Sequence, residues 1–320
     1  MTINISDVAK KAGVSPSTVS RALTRPDLVK TATRKKILEI VEEMSYSPNP
    51  LARGLMTGKT NIIALIIPNL TNTYFAQMAE GCEEALRSKG YHLIIGNYFE
   101  DNTMELKVID AFLKRMVDGI IIAGSLTAKD FQSIFGSRTS IPVTFVNHSA
   151  ELEYGYDSVI ADEAHGARLA CQALLERGAR KIAVVTGPAR NPYTKRRLAP
   201  FKKELQNANM YLDPCYLTEG HYGSIYTGFE AMSKLLSLKE PPDGVFAFND
   251  TLATGVIKAV LSKGLNIPKD VAVVGFDDIP LAPYLTPSLT TIGSSSFDLG
   301  KEAAEATLGP IGNPYRPPSK

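Results

Sequence analysis

From residue 61 onward the chain repeats one pattern, an apolar run ending at polar residues and followed by an amphipathic stretch, and few folds accommodate it. NIIALIIP, YHLIIGN, GIIIAG and IPVTFVN are apolar at successive positions, not only at alternate ones. Strands formed there must be covered on both faces, as in a parallel sheet. The stretches between them, beginning near Thr73, Thr103 and Thr127, have the periodicity of crossover helices. A second series begins after DSVIADE, with strands expected at RKIAVVTGP, PDGVFAFND and DVAVVGFDD and helices over 162–178, 195–208, 222–238 and 250–263. About 260 residues is long for one open sheet and natural for two. The expected fold class is therefore α/β, with two tandem parallel-sheet lobes. Ligands of such sheets bind outside the carboxyl ends of the strands, which makes the cleft between the lobes the expected pocket.

The apolar runs finish in polar or aromatic groups: Asn69 with Tyr74 and Phe75, Ser125, Asn147, Thr186, Asn249 with Asp250, and Asp277 with Asp278. Convergent polar groups between aromatic faces suit a small polyhydroxylated or heterocyclic ligand. Local roles compete with this one. Asp250 reads as a helix cap, Asp162 as another, Asp278 as a turn residue before Pro280, and Tyr74 and Phe75 as packing residues of a helix.

The first sixty residues follow a different rule. In ISDVAKKAGVSPSTVSRAL, residues 5–23, Val8, Ala9 and Ala12 share one helical face, and Gly13 allows a sharp turn. Ser15 stands at an N-cap with Pro16 at the first helical position. In the second helix Val19, Ala22 and Leu23 face inward while Ser17, Thr18 and Arg21 point away, as in a helix that presents polar groups to base edges in a major groove. Arg21 is the candidate guanine reader. A third helix in TATRKKILEIVEEMS carries Ile37, Ile40, Val41 and Met44 at helical spacing and opens on Arg34, Lys35 and Lys36. Residues 1–60 hold ten Lys and Arg against five Asp and Glu, whereas the remainder holds 25 against 28. Basic charge gathered on one segment supplies phosphate neutralisation; read alone, it also describes a solvated charged face.

YSPNPLARGLMTGKT, residues 46–60, could open a short helix at its prolines, but two glycines and its length make that helix marginal in isolation. Leu55 and Met56 have no evident core to enter, as expected of a wedge between base steps in the minor groove, and the plain alternative is an interdomain linker. The GKT at 58–60 is not a phosphate loop. That motif needs a glycine where Arg53 stands, and it follows a strand, whereas here a strand comes after.

The DVAKKAGVSPSTVSRAL segment, the TRKKI helix and the SPNPLARGL hinge together resemble the lactose and purine repressor (LacI) family of bacterial transcription regulators, and the resemblance covers nearly the whole chain. It implies a helix-turn-helix head over 1–47, a hinge helix and linker over 48–60, and an effector-binding and dimerisation domain over 61–320 resembling periplasmic sugar-binding proteins. Within that domain the N-lobe would take about 61–160 plus 292–320 and the C-lobe about 161–291. The resemblance puts DNA contacts at Ser6, Pro16, Ser17, Thr18 and Arg21, with Asn49, Arg53 and Leu55 in the hinge. Pro16 stands where the family often has a polar or aromatic residue. Effector contacts would be Tyr74, Phe75, Ser125, Asn147, Asp162, Arg197, Tyr222, Asn249 and Asp277, with Arg197 gripping hydroxyls, a carboxylate or a phosphate and the aspartates accepting from the opposite side. The competing reading of Arg197 is a surface arginine in a basic run.

The implied partners are a near-palindromic double-stranded operator, a second copy of the chain, and a small effector. A sugar is favoured by Asn249 and Asp250; a purine or a phosphorylated metabolite is the alternative, and a phosphoprotein in place of a small effector is a further family possibility. Two departures stand out. Gly293 and Ser294 occupy a position where the family usually has a glutamine near the cleft. The chain also ends at NPYRPPSK, short of the strand and arginine-bearing tail that usually follow, so an open strand edge in the first lobe is expected.

Composition bounds the rest. At 44% hydrophobic, without an apolar run long enough to span a bilayer and with a polar N-terminus, the chain is expected to be cytoplasmic, with no membrane partner. Cys82, Cys171 and Cys215 are odd in number and read as reduced thiols. The histidines, at 92, 148, 165 and 221, lack metal-ligand spacing, and only His148 falls at a strand end. No cofactor and no catalytic activity are expected. The rival reading is a cytoplasmic sugar-binding or sugar-processing protein with an accessory helical head.

Overall fold

The computed structural model describes residues 3–47, 59–99, 101–114, 117–136, 141–147, 154–189, 191–221 and 223–311, in two units that divide between Thr60 and Asn61.

In the first unit each helix carries its own start and stop signals. Asn4 caps α1 (Ile5–Ala12), its side chain accepting from the N–H groups of Ser6 and Asp7 while Asp7 accepts in return from the Asn4 N–H. Gly13 ends α1 in the left-handed conformation, φ 70°, which a residue without a Cβ adopts freely. Ser15 caps α2 (Pro16–Thr24) by accepting from the Thr18 N–H, and α3 (Thr31–Glu43) closes the unit. Val8, Ala9, Ala12, Val19, Ala22, Ile37 and Ile40 are buried together, with Leu23, Val41 and Met44 packed against them. These are the faces that the sequence periodicity assigns to the interior.

The second unit holds two parallel sheets of one topology. The first is built from β1 (Ile62–Ile67), β2 (His92–Asn97), β3 (Gly119–Ile122), β4 (Val143–Val146) and β5 (Asp157–Val159), in the order β2-β1-β3-β4-β5. Its crossovers include α4 (Thr73–Arg87), α5 (Asn102–Lys114) and α6 (Ala128–Phe135). After α7 (Glu163–Glu176) the chain forms β6 (Ile182–Thr186), α8 (Pro192–Asn207), β7 (Leu217–Glu219), α9 (Ile225–Leu235), β8 (Gly244–Ala247), α10 (Asp250–Ser262), β9 (Ala272–Asp277) and β10 (Thr290–Gly293). The second sheet is ordered β10-β9-β8-β6-β7. In each lobe winding reverses beside the first strand, between β1 and β3 and between β6 and β8, and such switch points open a crevice at the strands' carboxyl ends.

Helix α11 (Ser296–Ile311) leaves the second sheet and returns to the first lobe, where it packs on α4. The two helices meet backbone to backbone. A Cβ on Gly81 would lie 2.0 Å from the Phe297 carbonyl oxygen, and one on Gly300 2.0 Å from that of Met78.

Departures from the expected elements have local causes. Helix α8 begins three residues earlier than periodicity suggests because Asn191 caps it, and α9 later because Ser224 does. Strands β5, β7 and β10 and helix α11 were not among the expected elements; β7 and β10 are short edge strands with half-exposed side chains. The hinge segment over 48–58 and the tail over 312–320 lie outside the described residues. Cys82 and Cys171 are buried free thiols, each pushed by burial to about 12, and Cys215 is an exposed one.

Candidate functional site

On the head, Ser6, Pro16, Ser17 and Arg21 are exposed and Thr18 is half-buried. The Ser15 hydroxyl lies 2.8 Å from that of Ser17 and 2.9 Å from that of Thr18, so the cap that starts α2 also orients two hydroxyls at its N-terminal end. Arg34, Lys35 and Lys36 are exposed at the start of α3. The exposed polar and basic groups of the head are thus drawn from all three of its helices. Asn49, Arg53 and Leu55 lie outside the described residues.

In the second unit a cleft of about 290 Å³ lies at the carboxyl ends of both sheets, near the lower end of the roughly 300–1,000 Å³ typical of small-molecule sites. Seven of the expected residues line it: Tyr74, Phe75, Ser125 and Asn147 from the first lobe and Arg197, Asn249 and Asp277 from the second. Asp162 does not join them. It is exposed at the N-cap of α7, its carboxylate accepting from the His165 N–H at 2.8 Å, as its capping reading expects. Tyr222 and His148 lie outside the described residues.

The first-lobe wall is held rigid. Asn147, at a left-handed φ of 59°, accepts from the Ala161 N–H at 2.8 Å and donates to the Tyr74 hydroxyl at 3.3 Å. Tyr74 is buried, which pushes its phenol well up, and it meets Phe75 edge to face with centroids 5.1 Å apart. It packs in the lobe core and also lines the cleft. The Ser125 hydroxyl donates to buried Glu105 at 2.6 Å, and the same carboxylate accepts from the N–H groups of Ser125 and Leu126. Burial raises Glu105 against these stabilising donors.

The second-lobe wall centres on Arg197, which is buried at 6% exposure, so the surface-arginine reading fails. Its Nε and Nη2 donate to Glu163 Oε1 at 3.2 and 2.9 Å, Nη1 donates to the Phe248 carbonyl, and Nη1 stands 3.6 Å from Asp277. The guanidinium stacks over Phe276, 3.8 Å from its centroid. Asp277 therefore sits beside Arg197, not opposite it as the resemblance suggested. Burial holds Asp277 well above the usual carboxylate range; Arg197 counters this, and Asp250 and Glu163 add to it. Its φ of 114° is a strained backbone value for a side-chain-bearing residue.

Asn249, not Asp250, caps α10, accepting from the Leu252 N–H at 2.8 Å. Asp250 is fully buried and accepts from the Ile279 N–H at 2.9 Å and the Thr291 hydroxyl at 2.6 Å, tying three strand ends together. Three further residues escaped the sequence reading. Tyr193 lines the cleft and donates across it to the Gly124 carbonyl at 3.4 Å, linking the lobes; Tyr98 lines it too. Glu163 lies under Arg197, yet as an acid in the first turn of a helix it reads as ordinary helix-end chemistry. Among the described residues no group of three or more His, Cys, Asp or Glu is placed to hold a metal, and no helix is long and apolar enough to cross a membrane.

A helix-turn-helix head and a two-lobed domain with a polar cleft at its strand ends define a class: transcriptional regulators that bind DNA and respond to a small ligand. Residues 4–49 match the bacterial regulatory proteins, lacI family, and residues 171–320 the periplasmic binding protein-like domain. Catabolite control protein A of Priestia megaterium is 34% identical over 305 residues, 95% of this chain and 91% of that protein. The chain belongs to the lacI family. Among solved structures, the lac repressor dimer bound to operator and the anti-inducer ONPF is similar at a TM-score of 0.86 and 26% identity, over 98% of this chain and 94% of that one. The transcriptional regulator CelR–cellobiose complex gives 0.73 at 26% identity, over 99% and 95%.

Proposed function

We propose that this regulator is a cytoplasmic repressor that binds a near-palindromic operator as a homodimer and carries a small sugar or sugar derivative in the cleft between its lobes. It acts by binding, not by turnover. The observation that carries this reading is the convergence of Tyr74, Phe75, Ser125, Asn147, Arg197, Asn249 and Asp277 on one cleft. Hydrogen-bonding groups on both walls beside aromatic faces match the alternating hydroxyl and C–H faces of a sugar. The cellobiose complex of a similar regulator supports the ligand class, and the operator-bound lac repressor dimer supports the DNA partner and the oligomer. Two heads on a dimer read two half-sites in successive major grooves. Ser6, Pro16, Ser17, Thr18 and Arg21 form the reading surface, and the segment carrying Asn49, Arg53 and Leu55 acts as a hinge helix in the minor groove. Ligand binding closes the lobes and changes hinge geometry, and its differential affinity for the two states sets whether it releases or strengthens DNA binding.

A thermal-shift screen of sugars, sugar phosphates and purines, followed by operator titration with each hit, tests the reading. A hit that raises the melting temperature and changes operator affinity supports it; a purine as the only hit refutes the sugar. The rival, a sugar-binding or sugar-processing protein with an accessory head, requires that DNA affinity be indifferent to Arg21→Ala and Leu55→Ala.

A further inference from the structure

An arginine in a ligand cleft is ordinarily read as an anion clamp, but the surroundings of Arg197 point the other way. Its Nε and Nη2 edge is turned to Glu163, Nη1 to the Phe248 carbonyl and Asp277, and its flat face to Phe276. Each of these groups is an acceptor or a π face. Glu163 is 4% exposed and Asp277 6%, so Glu163 acts on the guanidinium through little water, where charge interactions are strong, and Asp277 stands beside it as an acid that burial pushes up. The outer oxygen of Glu163, buried and without a hydrogen-bond partner, faces Arg196 at 3.8 Å. Behind the other wall stands a third buried carboxyl group, Glu105, under Ser125. Three buried acidic side chains thus lie around the cleft beside Arg197 and half-buried Arg196; Glu163 pairs directly with Arg197, while burial pushes Asp277 and Glu105 up. A phosphate or carboxylate entering the cleft would be desolvated while meeting a guanidinium whose donors are already turned to Glu163 and the Phe248 carbonyl, a poor exchange for its hydration. A hydroxyl carries no such penalty: it can donate to Asp277 and accept from the Asn147 amide.

We infer that Glu163, acting with Asp277 on Arg197, is a specificity-determining residue that opens this cleft to uncharged polyhydroxylated effectors and closes it to phosphorylated or carboxylated ones. The inference rests on the effector reading above and narrows it, discarding the carboxylate and phosphate grips that Arg197 suggests in isolation. Glu163 acts through the guanidinium; it is a positioning residue and need not touch the ligand.

The test uses the full chain and matched pairs: glucose with glucose 6-phosphate, ribose with ribose 5-phosphate, cellobiose with its carboxylated derivative cellobionate, and inorganic phosphate as the bare anion. Affinities are measured by calorimetry for the wild type and for Glu163→Gln, which keeps the volume and an acceptor for Arg197. The expected result is that the wild type binds the neutral member of a pair at least tenfold more tightly than the anionic one. In Glu163→Gln that ratio should fall at least tenfold, with phosphate binding gained. A merely structural role would weaken both members alike and leave the ratio unmoved, which overturns the inference. A wild type that prefers the anionic member overturns it too, and needs no variant to fold, while leaving the effector reading intact. Binding of none of these ligands by either protein would remove the inference and the sugar-effector reading together.

Discussion

Arg197 is the residue at which the proposed ligand response can be set against structural stability. Truncating it leaves Glu163 and Asp277 buried beside an empty space, and a buried ion pair broken from one side typically loses about 3–5 kcal/mol. Arg197→Ala is therefore expected to lower the melting temperature of the second unit and abolish any ligand-induced shift, while retaining operator binding in the absence of ligand. Calorimetric unfolding and an operator titration check the two halves; an unaltered ligand response would refute the pocket. Asp250 makes a separate prediction. Burial raises its carboxyl to about 6, with Asp278 adding to the shift and the donors from Thr291 and Ile279 opposing it. The folded chain holds a proton there that the unfolded chain, at the usual carboxylate value, releases. Its contribution is complete below about pH 4 and is lost as pH rises through 6, up to roughly 3 kcal/mol for a shift of two pH units. Asp250→Asn cannot titrate, so its stability relative to wild type should climb between pH 4 and 7. A difference independent of pH in chemical denaturation would contradict this.

Among the elements, the tightest test is the crossing of α4 and α11, where Gly81 and Gly300 bring two backbones together. Gly81→Val must push α11 off α4, and because α11 is the helix that returns from the second sheet, the whole first lobe should lose stability. Overpacking of this kind typically costs about 1–3 kcal/mol or more. Denaturant unfolding checks it, with Gly90→Val as the surface comparison for added bulk, since no atom lies within 4 Å of a Cβ there, although its φ of +74° adds backbone strain. The same elements show what could be read in advance. Strands such as Ile62–Ile67 were legible because burial on both faces demands unbroken apolar sequence, and the head because Asn4, Gly13, Ser15 and Pro16 punctuate it. Strands Leu217–Glu219 and Thr290–Gly293 were not, since half-exposed edges tolerate polar residues. In the cleft, the strand-end rule found Ser125, Asn147, Asn249 and Asp277. It could not find Glu163 or Tyr193, which lie on helices and reach the site only through tertiary placement, and it could not tell that Asn249 caps α10 while Asp250 ties down a neighbouring loop.

For the molecule as a whole, the basic head and the slightly acidic remainder divide the work between phosphate neutralisation and ligand recognition. Operator affinity should fall steeply as salt rises, since each neutralised phosphate releases bound counterion. Arg21→Ala should lose about 1–3 kcal/mol of operator affinity with relaxed preference at one base pair, the signature of a base reader. A phosphate-only contact would instead weaken all sequences alike.

The central claim is that sequence-specific DNA binding is tuned from the interlobe cleft. The most direct measurement is the affinity of the full chain for a selected operator and for a scrambled duplex, at one moderate ionic strength, with and without a sugar that binds the cleft. Clear preference for the operator and a ligand-dependent change of about 5- to 150-fold, the range of typical allosteric coupling, are expected. Equal affinity for both duplexes, unchanged by the sugar, would contradict the claim.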